Sequence, residues 1–444
     1  FGIRLNGSYR GGDLAVKRSW EQLGSMALAL DYRSDRFRSS IDLGYERETI
    51  TGSTRPLYLD SGVTVPKAPS ATSNWLQPWT RSDIADYYSA FKAEYDLTRH
   101  WTVFATVGLH RNSVSDLISN PTLTDNNGTI SVPTYNFPQQ TDVNTEKVGI
   151  HGDFSIFGIK NNLSIDMSRY VSVLSYGLSA FSYESNLYSS PLIGKPTLAN
   201  VARNYATHTN LSNIAIGDTI SFFHDRFQVF AGGRWQKVET RSYSRLTGDI
   251  SSSYNQGAVT PAVGVVIKLQ PHTTLYGNYI QGLQQGMVVS AGYANAGQIF
   301  GPYKSTQLEI GLKHDFGKML TSIDYFQITQ PSAYADASTN TYVRNGSQRN
   351  RGFEFNATGK LTSNLRFIGG AMWINGVMRH TAGGTYDGNQ AVGTPHLQLN
   401  SSVEWDIPYV KGVTVTGRSI YTSSQYYDAA NTQKIPNWVR FDIG

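Results

Sequence analysis

Trp75, Trp79, Tyr135, Phe137, Tyr188, Tyr293, Tyr303, Tyr334, Tyr342 and Tyr426 all fall in stretches rich in Ser, Thr, Asn, Gly and Pro. An aromatic ring joins a large flat apolar area to a polar edge. Several converging rings would therefore stack an amphipathic ligand without making or breaking a covalent bond. Each ring also has a plainer reading, as part of an interfacial belt or as packing inside its own loop. Trp75, Trp79, Tyr135 and Phe137 lie far from the strand ends proposed below, so a belt suits them less. Arg344, Arg349 and Arg351 make a candidate anion patch, whose plainer reading is a solvated rim.

Covalent chemistry finds no footing in the sequence. No G-x-S-x-G elbow links a strand to a helix. The histidines lack HExxH spacing, and there is no phosphate-binding G-x-x-x-x-G-K-[ST] loop. With no cysteine in the chain, disulfides, thiolate metal sites and thiol nucleophiles are excluded. His110 and His151 fall on polar faces of separate strands, where hydrated wall residues are the simpler reading than a metal pair. Asn127-Gly128-Thr129 spells a glycosylation sequon, read here as chance. No catalytic residue, metal site or cofactor is expected.

The elements that must carry the aromatic stretches are strands. From His396 to Asp406, Leu397, Leu399, Val403 and Trp405 fall on one face. His396, Gln398, Asn400, Ser402, Glu404 and Asp406 fall on the other. Successive strand side chains point to opposite sides, so the segment separates an apolar side from a wet one. The same alternation recurs in about eighteen segments, an even count as transmembrane barrels require. It is weakest over 209–241, where Phe222-Phe223 and Gly232-Gly233 suggest bulges. Gaps between segments are alternately short and long. Ser34-Asp35 and Leu97–His100 are turns, whereas 51–83, 112–142, 176–208, 283–303 and 331–348 read as long loops. A meander across a membrane sorts its connections in this way, with long loops outside. The expected fold is therefore an all-β, transmembrane, antiparallel up-and-down barrel forming one domain over residues 1–444.

Composition agrees. Hydrophobic residues make up 39% of the chain, mean hydropathy is −0.33, and no apolar run is long enough for a spanning helix. A spanning β-strand needs only about 9–11 residues, half of them polar, so it leaves no hydropathy peak. Tyr 27, Phe 19 and Trp 8 supply an aromatic girdle. The net charge of +5 is mixed throughout, with no basic tract for nucleic acid. Both termini fall inside strands, so the chain is expected to be an internal piece of a longer precursor.

Ordered motifs then bring a family into view. Tyr276-Gly-Asn-Tyr-Ile-Gln-Gly282, Tyr293-Ala-Asn-Ala-Gly297 and the run from Pro302 to Lys313 resemble the C-terminal barrel of TonB-dependent siderophore receptors. Gln348-Arg-Asn-Arg-Gly-Phe-Glu-Phe355 is similar to that family's QRNRG-E strand, and Ile435–Gly444 to its LP-W-R-D-G strand. Together the motifs cover about a third of the chain, in the family's order. The resemblance implies a twenty-two-stranded barrel, with an N-terminal plug absent from this chain. It further implies import of ferric siderophores, of the hydroxamate or ferrichrome type, with energy from the TonB–ExbB–ExbD complex reaching the plug. The expected setting is the bacterial outer membrane, among its lipids and lipopolysaccharide, as a monomer. A passive porin-like channel, or a receptor for haem or cobalamin, is the alternative. A signal peptide running directly into strands would mark the porin.

Overall fold

The computed structural model describes residues 1–290, 292–336 and 338–444. Among them eighteen principal strands follow one another. In chain order these are β1 (Gly2–Asp13), β2 (Trp20–Arg33), β3 (Phe37–Thr51), β4 (Arg81–Asp96), β5 (Trp101–Ser119) and β6 (Thr129–Ile156). Next come β7 (Ile159–Tyr176), β8 (Asn204–Phe222), β9 (Phe227–Tyr243), β10 (Ile250–Gln270), β11 (Thr273–Gln284) and β12 (Tyr303–Asp315). The last six are β13 (Met319–Asp336), β14 (Thr341–Lys360), β15 (Leu365–Arg379), β16 (Leu397–Asp406), β17 (Thr414–Thr422) and β18 (Trp438–Ile443). Shorter strands cover Tyr58–Leu59, Thr122–Leu123, Ser179–Asn186, Gln425–Tyr426 and Lys434–Ile435.

The chain divides into two compact units. The first holds Phe1–Gly152, Ile165–Ile214 and Lys237–Asn255; the second holds Asp153–Ser164, Ala215–Gln236 and Gln256–Gly444. In the first, β1 through β6 pair antiparallel, each with the next. In the second, β10 through β18 do the same. The alternation in sequence is what fixes these registers, because a slip of one residue would exchange the faces of a whole strand. Thus Leu399 lies opposite Tyr421 and Ala371 on one face. On the other face Glu404 lies opposite Arg366 and Thr416.

The short connections are where turn chemistry predicts them. In the β12–β13 turn Gly317 takes φ 80°, open to glycine without a Cβ clash, and its N–H donates to Asp315 Oδ1 at 2.7 Å. The long connections are shorter than the sequence suggests, because strands run on past the alternating segments. Residues 134–142 and 331–336, read as loop, are strand. Tyr135 and Phe137 therefore sit inside β6, while Tyr334 and Tyr342 flank the tip of the β13–β14 hairpin and Tyr303 opens β12. Outside a bilayer no alternation is demanded, and the ladder hydrogen bonds alone sustain pairing. Phe222-Phe223 is likewise a strand end: Phe223, His224 and Asp225 all have positive φ. Among the described pairings, register breaks fall at Lys268/Gln270 and Ser332/Tyr334.

A device near the short turns appears once in each unit. Arg38 donates through Nε to Glu94 at 3.1 Å and through both Nη to Asp96 at 2.6 and 2.7 Å. Arg366 grips Glu404 at 2.8 Å and Asp406 at 2.7 and 2.9 Å in the same way. A threonine hydroxyl, Thr102 or Thr414, completes each aspartate at 2.7 Å. The fork of a guanidinium matches one carboxylate with two parallel bonds, which pins adjacent strands in register.

Candidate functional site

In the first unit the long connections fold on one another instead of hanging free. Leu76, Leu123, Ile130, Val132, Val63 and Leu187 form a small buried cluster, with Leu57, Leu59, Trp75 and Tyr183 against it. It draws on the β3–β4 connection, the turn before β6, and the strand Ser179–Asn186, which pairs with the start of β6. Polar bonds stitch the same pieces. Gln77 Nε2 donates to Pro191 O at 2.8 Å, Ile193 N donates to Gln77 Oε1 at 3.1 Å, and Trp79 Nε1 donates to Ile193 O at 3.0 Å. Asn74 holds the base, donating to Gly52 O at 2.7 Å and Lys17 O at 3.1 Å.

The five aromatic candidates in this unit thus meet different surroundings. Trp75 is half-buried against the apolar cluster, and its Nε1 is buried with no hydrogen-bond partner among the described residues. Trp79 faces Tyr183 with ring centroids 6.2 Å apart. Phe137 packs on Tyr176 at 5.0 Å. Tyr135 is half-buried opposite Ile118 and Ala180. Tyr188 is the most open, 52% exposed, with its Oη donating to Lys67 O at 2.9 Å. Below the cluster, Asp116 accepts a hydrogen bond from Ser82 and stands 3.9 Å from Arg55. Burial outweighs both partners and pushes its carboxyl above the usual range.

In the second unit Tyr293 and Tyr342 meet edge to face at 5.2 Å. Asn295 locks that contact: its Nδ2 donates to Tyr342 O at 2.8 Å and its Oδ1 accepts from Tyr342 N at 2.9 Å. Tyr303 is only 8% exposed, with the Arg344 guanidinium 6.0 Å over its ring and donating to Gly301 O at 3.1 Å. Tyr334 lies beside Gly346 across the bulged hairpin. Tyr426 carries the Lys434 ammonium 4.7 Å above its ring. The sequence did not mark Gln77, and marked Asn295 only as part of the Tyr293–Gly297 motif; both are polar residues in polar loops, and only the fold reveals what they join.

Farther along the strands of this unit, the polar face gathers Glu309, Asp324 and Glu354 around Tyr276 and Lys313, lining a cavity of about 500 Å³. Tyr276 Oη donates to Glu309 at 2.8 Å. Its ring lies where a side chain on Gly311 would stand, 2.6 Å from the position a Cβ would take. Among the described residues no His, Asp or Glu cluster is arranged to hold a metal ion, and no helix is long and apolar enough to cross a membrane.

Residues 20–444 match the family model described as TonB dependent receptor-like, beta-barrel. The ferrichrome receptor FcuA of Yersinia enterocolitica is 32% identical over 454 residues, covering 100% of this chain and 60% of that protein. The ferrichrome outer membrane transporter/phage receptor of Escherichia coli is 25% identical over 232 residues, 49% of this chain and 30% of that protein. The crystal structure of BauA, the ferric preacinetobactin receptor from Acinetobacter baumannii, superposes with a TM-score of 0.91 at 28% identity, over 99% of this chain and 67% of that one. The chain thus spans about 60% of the length of FcuA. With its all-β architecture and a family match over nearly its whole length, the chain belongs to the TonB dependent receptor-like β-barrel family.

Proposed function

We propose that this barrel serves an outer-membrane transporter that binds a ferric siderophore and imports it with energy supplied through TonB, ExbB and ExbD. The observation that carries this reading is the 32% identity to a ferrichrome receptor along the entire chain. The loop geometry adds the means. In the first unit Tyr188 presents an open ring for stacking on the chelate. In the second, Tyr293 and Tyr342 present an ordered pair, with Tyr334 and Tyr426 as further stacking candidates. Trp75, Trp79, Tyr135, Phe137 and Tyr303 are more covered than Tyr188. Stacking on flat, preordered rings suits a neutral or weakly charged amphipathic chelate, the hydroxamate class. The ferric complex is cargo, and no resident cofactor or covalent step is invoked. Lipid, lipopolysaccharide included, surrounds the apolar face, and one copy suffices.

The test places the full-length protein in an outer-membrane receptor-deleted strain under iron limitation. Growth is expected on a purified ferric hydroxamate, lost when tonB is deleted, and lost when residues 285–302 are replaced by a short turn. Uptake that survives the loop replacement refutes the site. Growth on haem or cobalamin alone refutes the cargo.

A further inference from the structure

Three side-chain amides in the long connections share one geometry. Asn295 Nδ2 donates to Tyr342 O at 2.8 Å and its Oδ1 accepts from Tyr342 N at 2.9 Å. Asn431 Oδ1 accepts from Gln390 N at 2.7 Å and its Nδ2 donates to Gln390 O at 3.0 Å. Gln77 Nε2 donates to Pro191 O at 2.8 Å and its Oε1 accepts from Ile193 N at 3.1 Å. Each amide exchanges both bonds with a distant stretch of main chain, as facing residues of antiparallel strands do.

The joined positions lie 47, 41 and 116 residues apart in the chain. Bringing such remote segments together costs chain entropy, and one net hydrogen bond offsets little of it. Two parallel bonds do more, because they also fix the orientation of the joined pieces. At Asn431 the backbone has φ 59°, a left-handed conformation that asparagine tolerates better than most residues carrying a side chain.

Each clasp sits against candidate rings. Asn295 holds the backbone of Tyr342, whose ring meets that of Tyr293. Gln77 holds the N–H of Ile193, whose carbonyl accepts from Trp79 Nε1 at 3.0 Å. The two connections that Asn431 joins meet again where Gly393 N donates to Tyr426 O at 2.9 Å.

We propose that Gln77, Asn295 and Asn431 are positioning residues for the ferric chelate, setting the rings in their capture arrangement before the ligand arrives. This role rests on the siderophore-receptor reading above. A ligand that needs closed connections binds in proportion to the closed fraction, so opening a clasp weakens capture without removing any contact to the ligand.

The test uses the full-length receptor purified in detergent, with ferrichrome as probe. Asn295→Ala and Gln77→Met each remove a clasp. Asn431→Gly removes the third, and glycine accepts the left-handed backbone without strain. In the ligand-free variants, amides of 292–298, 190–194 and 388–394 respectively should exchange about tenfold faster. Ferrichrome affinity should fall about fivefold in each, with the loss in association and release unchanged. Exchange that quickens by less than about threefold in all three variants overturns the proposal, as does affinity within about twofold of wild type. A loss carried by faster release also overturns it, because the amide would then touch the chelate itself. A wild type that binds no ferrichrome refutes the hydroxamate reading and the role of the clasps together. Wild-type binding that every variant matches refutes the clasps alone. An unchanged barrel melt verifies folding, and where one variant misfolds the other two decide by the same limits.

Discussion

Truncating Leu76 to alanine strikes the loop cluster at its centre, where the side chain is 0% exposed. The change removes three buried carbons, worth about 2 kcal/mol of transfer free energy. The cavity left behind adds to this, for a total of about 3 kcal/mol. Only six apolar side chains make up the buried cluster, so few neighbours can close over the gap. At about 1.4 kcal/mol per factor of ten, the open population of these connections rises about a hundredfold. Apart from the start of β6, which contributes Ile130 and Val132, the strand ladders share none of that loss. Hydrogen exchange on the full-length receptor should show amides of 57–79 and 187–193 exchanging about a hundred times faster. The melting temperature of the barrel should hold, and affinity for the ferric ligand should fall. Exchange that changes less than threefold refutes the argument, because the cluster would then not be what orders these connections. A barrel melt that drops in parallel refutes it differently, by showing that loops and ladder unfold as one.

Other outcomes are open to direct measurement. Tyr342→Ala, which deletes the edge-to-face partner of Tyr293, should weaken ferric-siderophore binding about tenfold while Tyr342→Phe leaves it near normal, as read by fluorescence quenching. Gly311→Val drives a side chain into the Tyr276 ring and should destabilise the sheet by about 1–3 kcal/mol, seen as a lowered melting temperature; an unchanged melt would mean that the ring swings aside freely. Because burial raises the Asp116 carboxyl above its ordinary 3.8, the folded loop base holds that proton more tightly than the unfolded chain does. Its stability is then highest below that value and declines as pH rises through the raised one. Asp116→Asn should abolish the decline, measured by loop hydrogen exchange against pH after correction for intrinsic rates.

Strand identity was legible wherever a bilayer imposes two solvents on one segment. Leu397, Leu399, Val403 and Trp405 announce their shared face because each polar residue between them would be costly in lipid. The turn at Ser34-Asp35 was legible for a local reason, since a short polar side chain closes it: Ser34 Oγ accepts from Phe37 N at 3.2 Å. Tyr135, Phe137 and Tyr334 were misread as loop residues because the ladder continues into water, where polar and apolar residues pair alike and leave no periodic trace. The loop cluster was harder still. Leu76, Leu123 and Leu187 are single leucines in polar stretches, and nothing near any one of them in sequence points to the others. For the aromatic candidates, residue type could suggest stacking, but it could not separate Tyr188, left open, from Tyr303, almost fully covered.

The strands of the β13–β14 hairpin are longer than an apolar band requires. At about 3.4 Å per residue and a tilt near 40°, the 18 residues of β13 reach about 45 Å along the bilayer normal, against an apolar band of about 25 Å. The surplus is a mast. Its tip carries Tyr334 and Tyr342, and the irregular step between Ser332 and Tyr334 is where it can bend. Chain entropy in the paired strands is surrendered at folding, so under the proposed function an arriving molecule would meet a stiff outrigger jointed at that step. Stiffening that joint should slow departure of the captured molecule more than it hastens arrival.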